Sequence, residues 1–458
     1  MHFSCDIFAR MPRVVRVARW ARINIIGLSI GLLVACHGLL DVTDPTLVQD
    51  KDIANAGGAN ARRLDVIYKF SAEVGNLANN VAVFTDERTV DLPLLWQDQS
   101  YYLDRRDGEG FEALYATDQN NDPHLGGWDV VVTTAAIALP PIRAYASDSL
   151  KGDFLAQVFA IRGYAILQMA EDVCPGFPIN DVVDNLPVYS GPYTTDSATH
   201  FALTQLDSAL ANARDSSQTI NLARVTKGRA LLDLGQYAQA AAAVASVPTD
   251  FRLIPAYGEG NIFFQWPYVW DPSDLFEIRF AVGDTEGTNG LPFVSAHDPR
   301  VGTFFAGVRY HNAADSLYDQ TKYAQPDLIV ISSGIEARLI EAEAAINGGD
   351  PSWFAILNTL RATMITPAMP ALQTMPTAKA DQLDLLYRER AFWLYLTGRR
   401  LGDMRRLIRN YGRAPETVFP TGPYSMRGGN YGTATAIPFV KDVEHRYNAK
   451  ITSGCTTR

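Results

Sequence analysis

The side chains able to do acid–base, nucleophilic or metal chemistry are scattered along this chain. Seven histidines stand at positions 2, 37, 124, 200, 297, 311 and 445. They form no His-Glu-x-x-His pair, and the cysteines show no paired metal-ligand spacing. No Gly-x-Ser-x-Gly elbow and no phosphate-cradling glycine loop occurs. Glu341 and Glu343 lie two apart on a helical pattern, so they point to different faces. That suits a solvated or capping pair better than an acid/base dyad. His297-Asp298-Pro299-Arg300 reads as a turn with a structural role. No catalytic residue, metal site or cofactor is therefore expected.

The thiols carry more information. Leu33-Val34-Ala35-Cys36 closes a segment that begins with Arg13, Arg16, Arg19 and Arg22 and continues as an apolar run over residues 23–35. A cationic start and a short apolar segment make an export signal. The run is too short to span a bilayer, which needs about 20 apolar residues. Its end resembles the lipobox of bacterial lipoproteins, whose cysteine is lipidated and becomes the new N-terminus. The alternative is an ordinary secretory signal with an incidental cysteine. Several acyl chains anchor a protein stably where one is marginal. Met11 is a second possible start. Residues 1–35 are thus read as signal peptide and 36–458 as the mature domain.

Cleavage removes Cys5 and lipidation uses Cys36, leaving Cys174 and Cys455 in a compartment that permits disulfides. A bridge between them would close a long loop, worth about 4–5 kcal/mol in the chain-entropy model. The other reading is two free, buried thiols.

Composition sets outer limits. The 458 residues are 47% hydrophobic and 10% aromatic, enough for a large core and unlike a disordered chain. The first 35 residues hold five Arg and one Asp, so 35 basic and 49 acidic residues remain, a net charge of −14. No run of Lys and Arg follows, which argues against a nucleic-acid partner.

Helical periodicity dominates. It predicts helices over residues 50–85, 128–145 (where Pro140 and Pro141 should kink or end it), 154–172 and 198–214. Residues 86–127 read as loops with one helix near 109–116. Thr226 to Ala241 looks like a tetratricopeptide unit, with small residues Gly228 and Ala230 at a helix contact and a Leu-Gly-x-Tyr turn. Ile335 to Thr363 repeats that logic around Asn347-Gly348-Gly349-Asp350. Residues 249–330 are rich in Pro, Gly and aromatics, including Phe304 and Phe305, and read as loops with short strands near 276–282 and 301–310. Residues 409–440 are also loop-like. Residues 380–408 are helical with a break at Gly398.

The most specific segment runs from Leu386 to Leu407. Glu389 and Arg390 sit among large apolar residues, and Arg399, Arg400 and Asp403 follow at helical spacing. Charges so close to apolar faces should pair with each other, because an unpaired buried charge is costly. This segment resembles the C-terminal signature of the SusD/RagB proteins, an ER-x-x-E/W-L-x-x-x-G-x-R-x-x-D-L-x-R pattern. The start after Cys36 (Leu40-Asp41-Val42-Thr43-Asp44-Pro45) is similar too. So are the helix Ile335 to Ala345, Leu357-Asn358-Thr359-Leu360-Arg361, the tetratricopeptide-like unit, and Ile437-Pro438, Glu444 and Asn448 near the end.

The resemblance implies a mainly α SusD-like fold, with helix pairs as scaffold and a loop-rich ligand-binding insert over about 249–330. It implies an outer-membrane lipoprotein, surface-exposed and lipid-anchored at Cys36, that hands a glycan or peptide to a SusC-like, TonB-dependent β-barrel and is not an enzyme. Pyranose rings have apolar faces that stack on flat aromatic rings. Trp96, Tyr101, Tyr102, Trp266, Tyr268 and Trp270, all in loop-like stretches, are the candidate platform. Packing in the scaffold is the competing role, and it is the one assigned to Trp128 and Trp393. Two other functions compete with the first. One is a secreted helical-repeat interaction protein. The other is a hydrolase without a recognisable motif.

Overall fold

Four polar side chains start helices by accepting hydrogen bonds from first-turn amides, which have no partner inside the helix. Asn55 accepts from Gly58 N and opens α1 (Ala56–Phe84). Thr194 and Ser197 form a reciprocal capping box, Ser216 accepts from Thr219 N, and Ser333 accepts from Glu336 N. These observations come from a computed structural model. It describes residues 54–91, 99–108, 110, 127–183, 186–254, 279–309, 315–323, 329–425, 428–439, 448–451 and 455. Cys36 and the signal segment lie outside them.

The remaining helices are α2 (Gln99–Arg105), α3 (Trp128–Tyr145), α4 (Asp148–Asp172), α5 (Thr195–Asn212), α6 (Ser217–Asp233), α7 (Tyr237–Val244), α8 (Gly334–Gly348), α9 (Ser352–Thr363), α10 (Lys379–Trp393), α11 (Arg400–Tyr411) and α12 (Pro415–Val418). The strands are short: β1 (Arg88–Asp91), β2 (Asp181–Val183), β3 (Leu186–Val188), β4 (Arg252–Leu253), β5 (Arg279–Val282), β6 (Thr303–Val308), β7 (Ser316–Gln320) and β8 (Ser332–Ser333). They pair antiparallel as β1–β5, β2–β3, β4–β8 and β6–β7. The architecture is mainly α, as the periodicity predicts.

The core is centred on α4, which is buried on all sides from Val158 to Asp172 and packs against α3, α5 and α6. Phe70, Trp128 and Tyr164 lock α1, α3 and α4 together, with ring centroids 5.1–6.0 Å apart. Trp128 and Trp393 are both buried. The expected helix pairs form. A side chain at Gly228 would lie 2.6 Å from a Val244 methyl, so α6 and α7 touch almost backbone to backbone, and Gly235 turns between them at φ +70°. Gly349 makes the corresponding turn between α8 and α9. Cys174 and Cys455 are joined as a disulfide with Cα atoms 5.3 Å apart.

Helix α3 spans the expected 128–145, continuing through Pro140 and Pro141 to Tyr145. The burial of Ala135, Ala136, Ala138, Leu139 and Ile142 on its core face outweighs the lost amide donors. Residues 99–105, read as loop, form α2. Within 409–440, read as loop, α11 continues to Tyr411 and α12 follows. The helix expected over 109–116 falls, apart from Gly110, outside the described residues. Among the described residues, no helix is long and apolar enough to cross a membrane.

Candidate functional site

The charged signature of α10 and α11 turns inward. Arg390 forks onto Asp403 with two bonds of 2.8 Å. Arg406 donates to Glu343 at 2.8 and 3.1 Å, to Asp403 at 2.7 Å and to Asp233 at 3.0 Å. Arg400 forks onto Asp86 at 2.7 and 2.8 Å, and Arg300 meets Glu389 at 2.6 Å. Burial alone would raise the Asp403 carboxyl, but the adjacent Arg390 and Arg406 guanidiniums hold it below the usual carboxylate range. The solvated role expected for Glu343 is wrong. It is fully buried, because Arg406 and the hydroxyls of Tyr387 and Tyr411 satisfy it. Glu341 is half-buried beside Arg338. These charges close on one another inside the scaffold, so this seam positions helices and offers nothing to a ligand.

The candidate ligand residues flank the β1–β5 sheet in sequence. In the β1–β5 pair, Asp91 is the register partner of Arg279. Residue 92 therefore leaves, and residue 278 arrives, at the same end of one two-stranded sheet. Trp96 is five residues beyond Asp91, and Trp270 is nine residues before Arg279. The two aromatic-bearing stretches thus connect to the sheet at the same end. Trp96, Trp266, Tyr268 and Trp270 themselves lie outside the described residues.

Tyr101 and Tyr102 are on α2 and not in a loop. Tyr101 is buried, with Tyr102 and Tyr424 rings 5.2 and 5.9 Å away, and packs the scaffold. Tyr102 is half-buried beside it.

A cleft of about 450 Å³ adjoins the other end of β5. Its wall includes Asp284, Glu286, Arg309, Asp315, Ser316 and Tyr318. Arg309 donates to Thr89 Oγ1 at 3.0 Å and so ties the cleft to β1. Asp284 Oδ1 accepts from the amides of Val294 and Ser295 at 3.1 and 2.9 Å. Burial pushes the Glu286 carboxyl up, and its Oε2 accepts from the Tyr431 hydroxyl at 2.8 Å. Behind it, burial and then the proximity of Glu286 push Asp104 well up too.

On the adjoining β6–β7 hairpin, Phe304 and Phe305 are 37% and 58% exposed, and the Phe305 ring meets Tyr318 edge-on at 6.0 Å. None of these cleft or hairpin residues was singled out from sequence as a ligand contact. The Phe304-Phe305 doublet is the available signal. Successive strand residues point to opposite faces, so two adjacent bulky aromatics put at least one outside.

The architecture defines the class first: a scaffold of helix pairs closed by buried ion pairs and joined by short two-stranded sheets. Solved structures then identify that fold as SusD-like. A SusD superfamily protein from Parabacteroides distasonis matches with TM-score 0.61 and 12% identity over 88% of this chain and 98% of that one. A SusD-like carbohydrate binding protein from Bacteroides vulgatus matches with TM-score 0.53 and 16% identity over 82% and 88%. Surface glycan-binding protein A from Bacteroides uniformis matches with TM-score 0.57 and 14% identity over 86% and 99%. No protein-family model and no curated protein matches the sequence.

Proposed function

We propose that the chain is a non-catalytic, cell-surface glycan-binding protein that delivers oligosaccharides to a SusC-like, TonB-dependent β-barrel and is held at the outer membrane by lipid on Cys36. One observation carries this reading. The Asp91–Arg279 register roots two aromatic-bearing stretches at one sheet end, about 10 Å along β5 from a polar cleft. Stacking rings and hydroxyl-binding carboxylates are the two components that a sugar requires. The solved neighbours described as carbohydrate- or glycan-binding add support. The cleft gathers Asp284, Glu286 and Asp315 around one guanidinium, Arg309, which favours neutral over anionic sugars.

The mature protein, screened against neutral and acidic oligosaccharides and against peptides, should bind neutral oligosaccharides. Binding should be lost when Trp96, Trp266 and Trp270 are together replaced by alanine. Unchanged binding in that triple variant would remove the aromatic platform. Isolation from outer membranes should recover a large β-barrel partner. Recovery of the protein alone would remove the delivery role.

A further inference from the structure

We propose a second ligand site, sharing no wall residue with the cleft beside β5: a cleft of about 430 Å³ that takes a small carboxylate carried on an apolar body. Its walls are Phe251, Val301, Tyr323, Ile335, Ile365 and Trp393, from the β4–β8 region, the turn before β6, the start of α8, the segment after α9 and the end of α10.

The charges in this wall divide into two groups. Arg300 is consumed by Asp298 and Glu389. Glu336 lies 3.3 Å from Arg399 and 3.8 Å from Arg229. That leaves Lys322 and Arg252. Lys322 Nζ donates to the carbonyls of Trp393 and Tyr395 at 3.1 and 2.9 Å, with the Tyr323 and Tyr395 rings at 5.6 and 5.9 Å. An ammonium carries three protons. Among the described residues, its third finds no acceptor and no carboxylate pairs with it. Arg252 is exposed and has no ion pair among the described residues. The indole N–H of Trp393, in the same wall, is buried without an acceptor.

The cleft thus sets, among apolar and hydroxyl side chains, a lysine with no paired carboxylate and a spare indole donor, which an anion would satisfy. Burial pushes the Lys322 ammonium down to about 7. The charged groups facing it are Glu87 and Asp298, which favour the ammonium, and Arg300 and Arg252, which oppose it. Burial also pushes Glu87 up to about 8, so that carboxyl is a weak counter-ion at neutral pH. A bound carboxylate supplies the missing charge and keeps Lys322 protonated, while its apolar body covers the walls. The carboxylate could come from a short acyl chain or from the free end of a peptide. Both share this chemistry, and the test separates them.

The test is titration calorimetry on the mature protein at pH 6.5 with sodium octanoate, N-acetyl-leucine and 1-octanol as the neutral control. At least one carboxylate should bind about tenfold or more tightly than octanol, a margin of about 1.4 kcal/mol. The carboxylate that binds identifies the source. Binding should take up protons above pH 7, read from buffers of different ionisation enthalpy. Lys322→Met should abolish the preference for the carboxylate, and Ile365→Trp should fill the cleft and stop binding. If Lys322→Met fails to fold by circular dichroism, the exposed Arg252→Ser, which should weaken carboxylate binding severalfold, decides together with Ile365→Trp. Equal binding of octanol and the carboxylates would overturn the proposal. So would an unaltered preference in the folded variants, or no carboxylate binding at millimolar concentration.

Discussion

Along the seam between α10 and α11, Arg390, Arg400 and Arg406 each meet a carboxylate inside the fold. The cleft beside β5 and β7 instead has Asp284, Glu286, Asp315 and Arg309 in its wall, where their hydrogen bonds leave them at the border of an open space. The residue types are the same and the roles differ. A charge that closes on a buried partner holds helices together, and a charge that borders open space can be read by a ligand. The distinction is geometric, which is why the count of charges in the sequence says little about either role.

The sharpest way to break this comparison is Asp403→Ala. It leaves Arg390 and Arg406 facing each other without the acceptor they share. Removing one member of a buried ion pair costs about 3–5 kcal/mol. Urea unfolding should register a loss of that size, whereas a loss under about 1 kcal/mol would mean that the seam is ornamental. On the other side, Trp270→Ala should leave the unfolding midpoint nearly unchanged. It should cost about 1–2 kcal/mol of glycan affinity, roughly 5- to 30-fold in dissociation constant. A variant that lost stability and kept its affinity would exchange the two roles.

A smaller effect tests the sign of the cleft. A neutral oligosaccharide should bind a fewfold better than a uronic-acid analogue of the same linkage at low salt. The margin should shrink in Asp315→Asn and in 0.5 M salt. Equal affinities under all conditions would show that Asp284, Glu286 and Asp315 do not face the ligand.

Much of the scaffold was legible in the sequence because helix pairs write a local pattern. Gly228, Gly235 and Gly349 stand where close packing and left-handed turns demand them. The signature from Leu386 to Leu407 also predicted its own pairing, since large apolar neighbours leave a charge little choice. Its partners were not legible. Asp86 reaches Arg400 across 314 positions, and Glu343 reaches Arg406 across 63. The same non-locality hid the candidate cleft. Asp91 and Arg279 are sheet partners that no local period connects, and the cleft takes residues from before β6, from β7 and from beyond α12. Residues 99–105 read as loop because the stretch 86–127 is rich in Asp, Gly and Asn. Packing of Tyr101 against Tyr424, far along the chain, settles that turn of helix.

The finest test of the comparison lies within the scaffold, where Asp172 is buried without a guanidinium fork. Its Oδ2 accepts from Gln168 at 2.8 Å, and its Oδ1 is buried with no donor. Burial pushes this carboxyl up to about 8, with Glu171 adding to the rise while Gln168, Arg399 and Arg405 moderate it. A proton therefore closes the site that an arginine closes elsewhere. The folded chain keeps that proton where the unfolded chain, near the ordinary value of about 4, has released it. Between about pH 4 and 8 the unfolded state binds fewer protons, so this group's contribution to stability is full below pH 4 and is lost as pH rises toward 8. Asp403 has the opposite sign. Its carboxyl is held low, so its contribution is present above the ordinary carboxylate value and is lost on acidification. Asp172→Asn imitates the protonated acid. It should match the parent at pH 4 and exceed it at pH 8 by at least about 1 kcal/mol. Urea midpoints at the two pH values would measure this. A variant that trails its parent equally at both would show that Asp172 holds no extra proton in the folded chain.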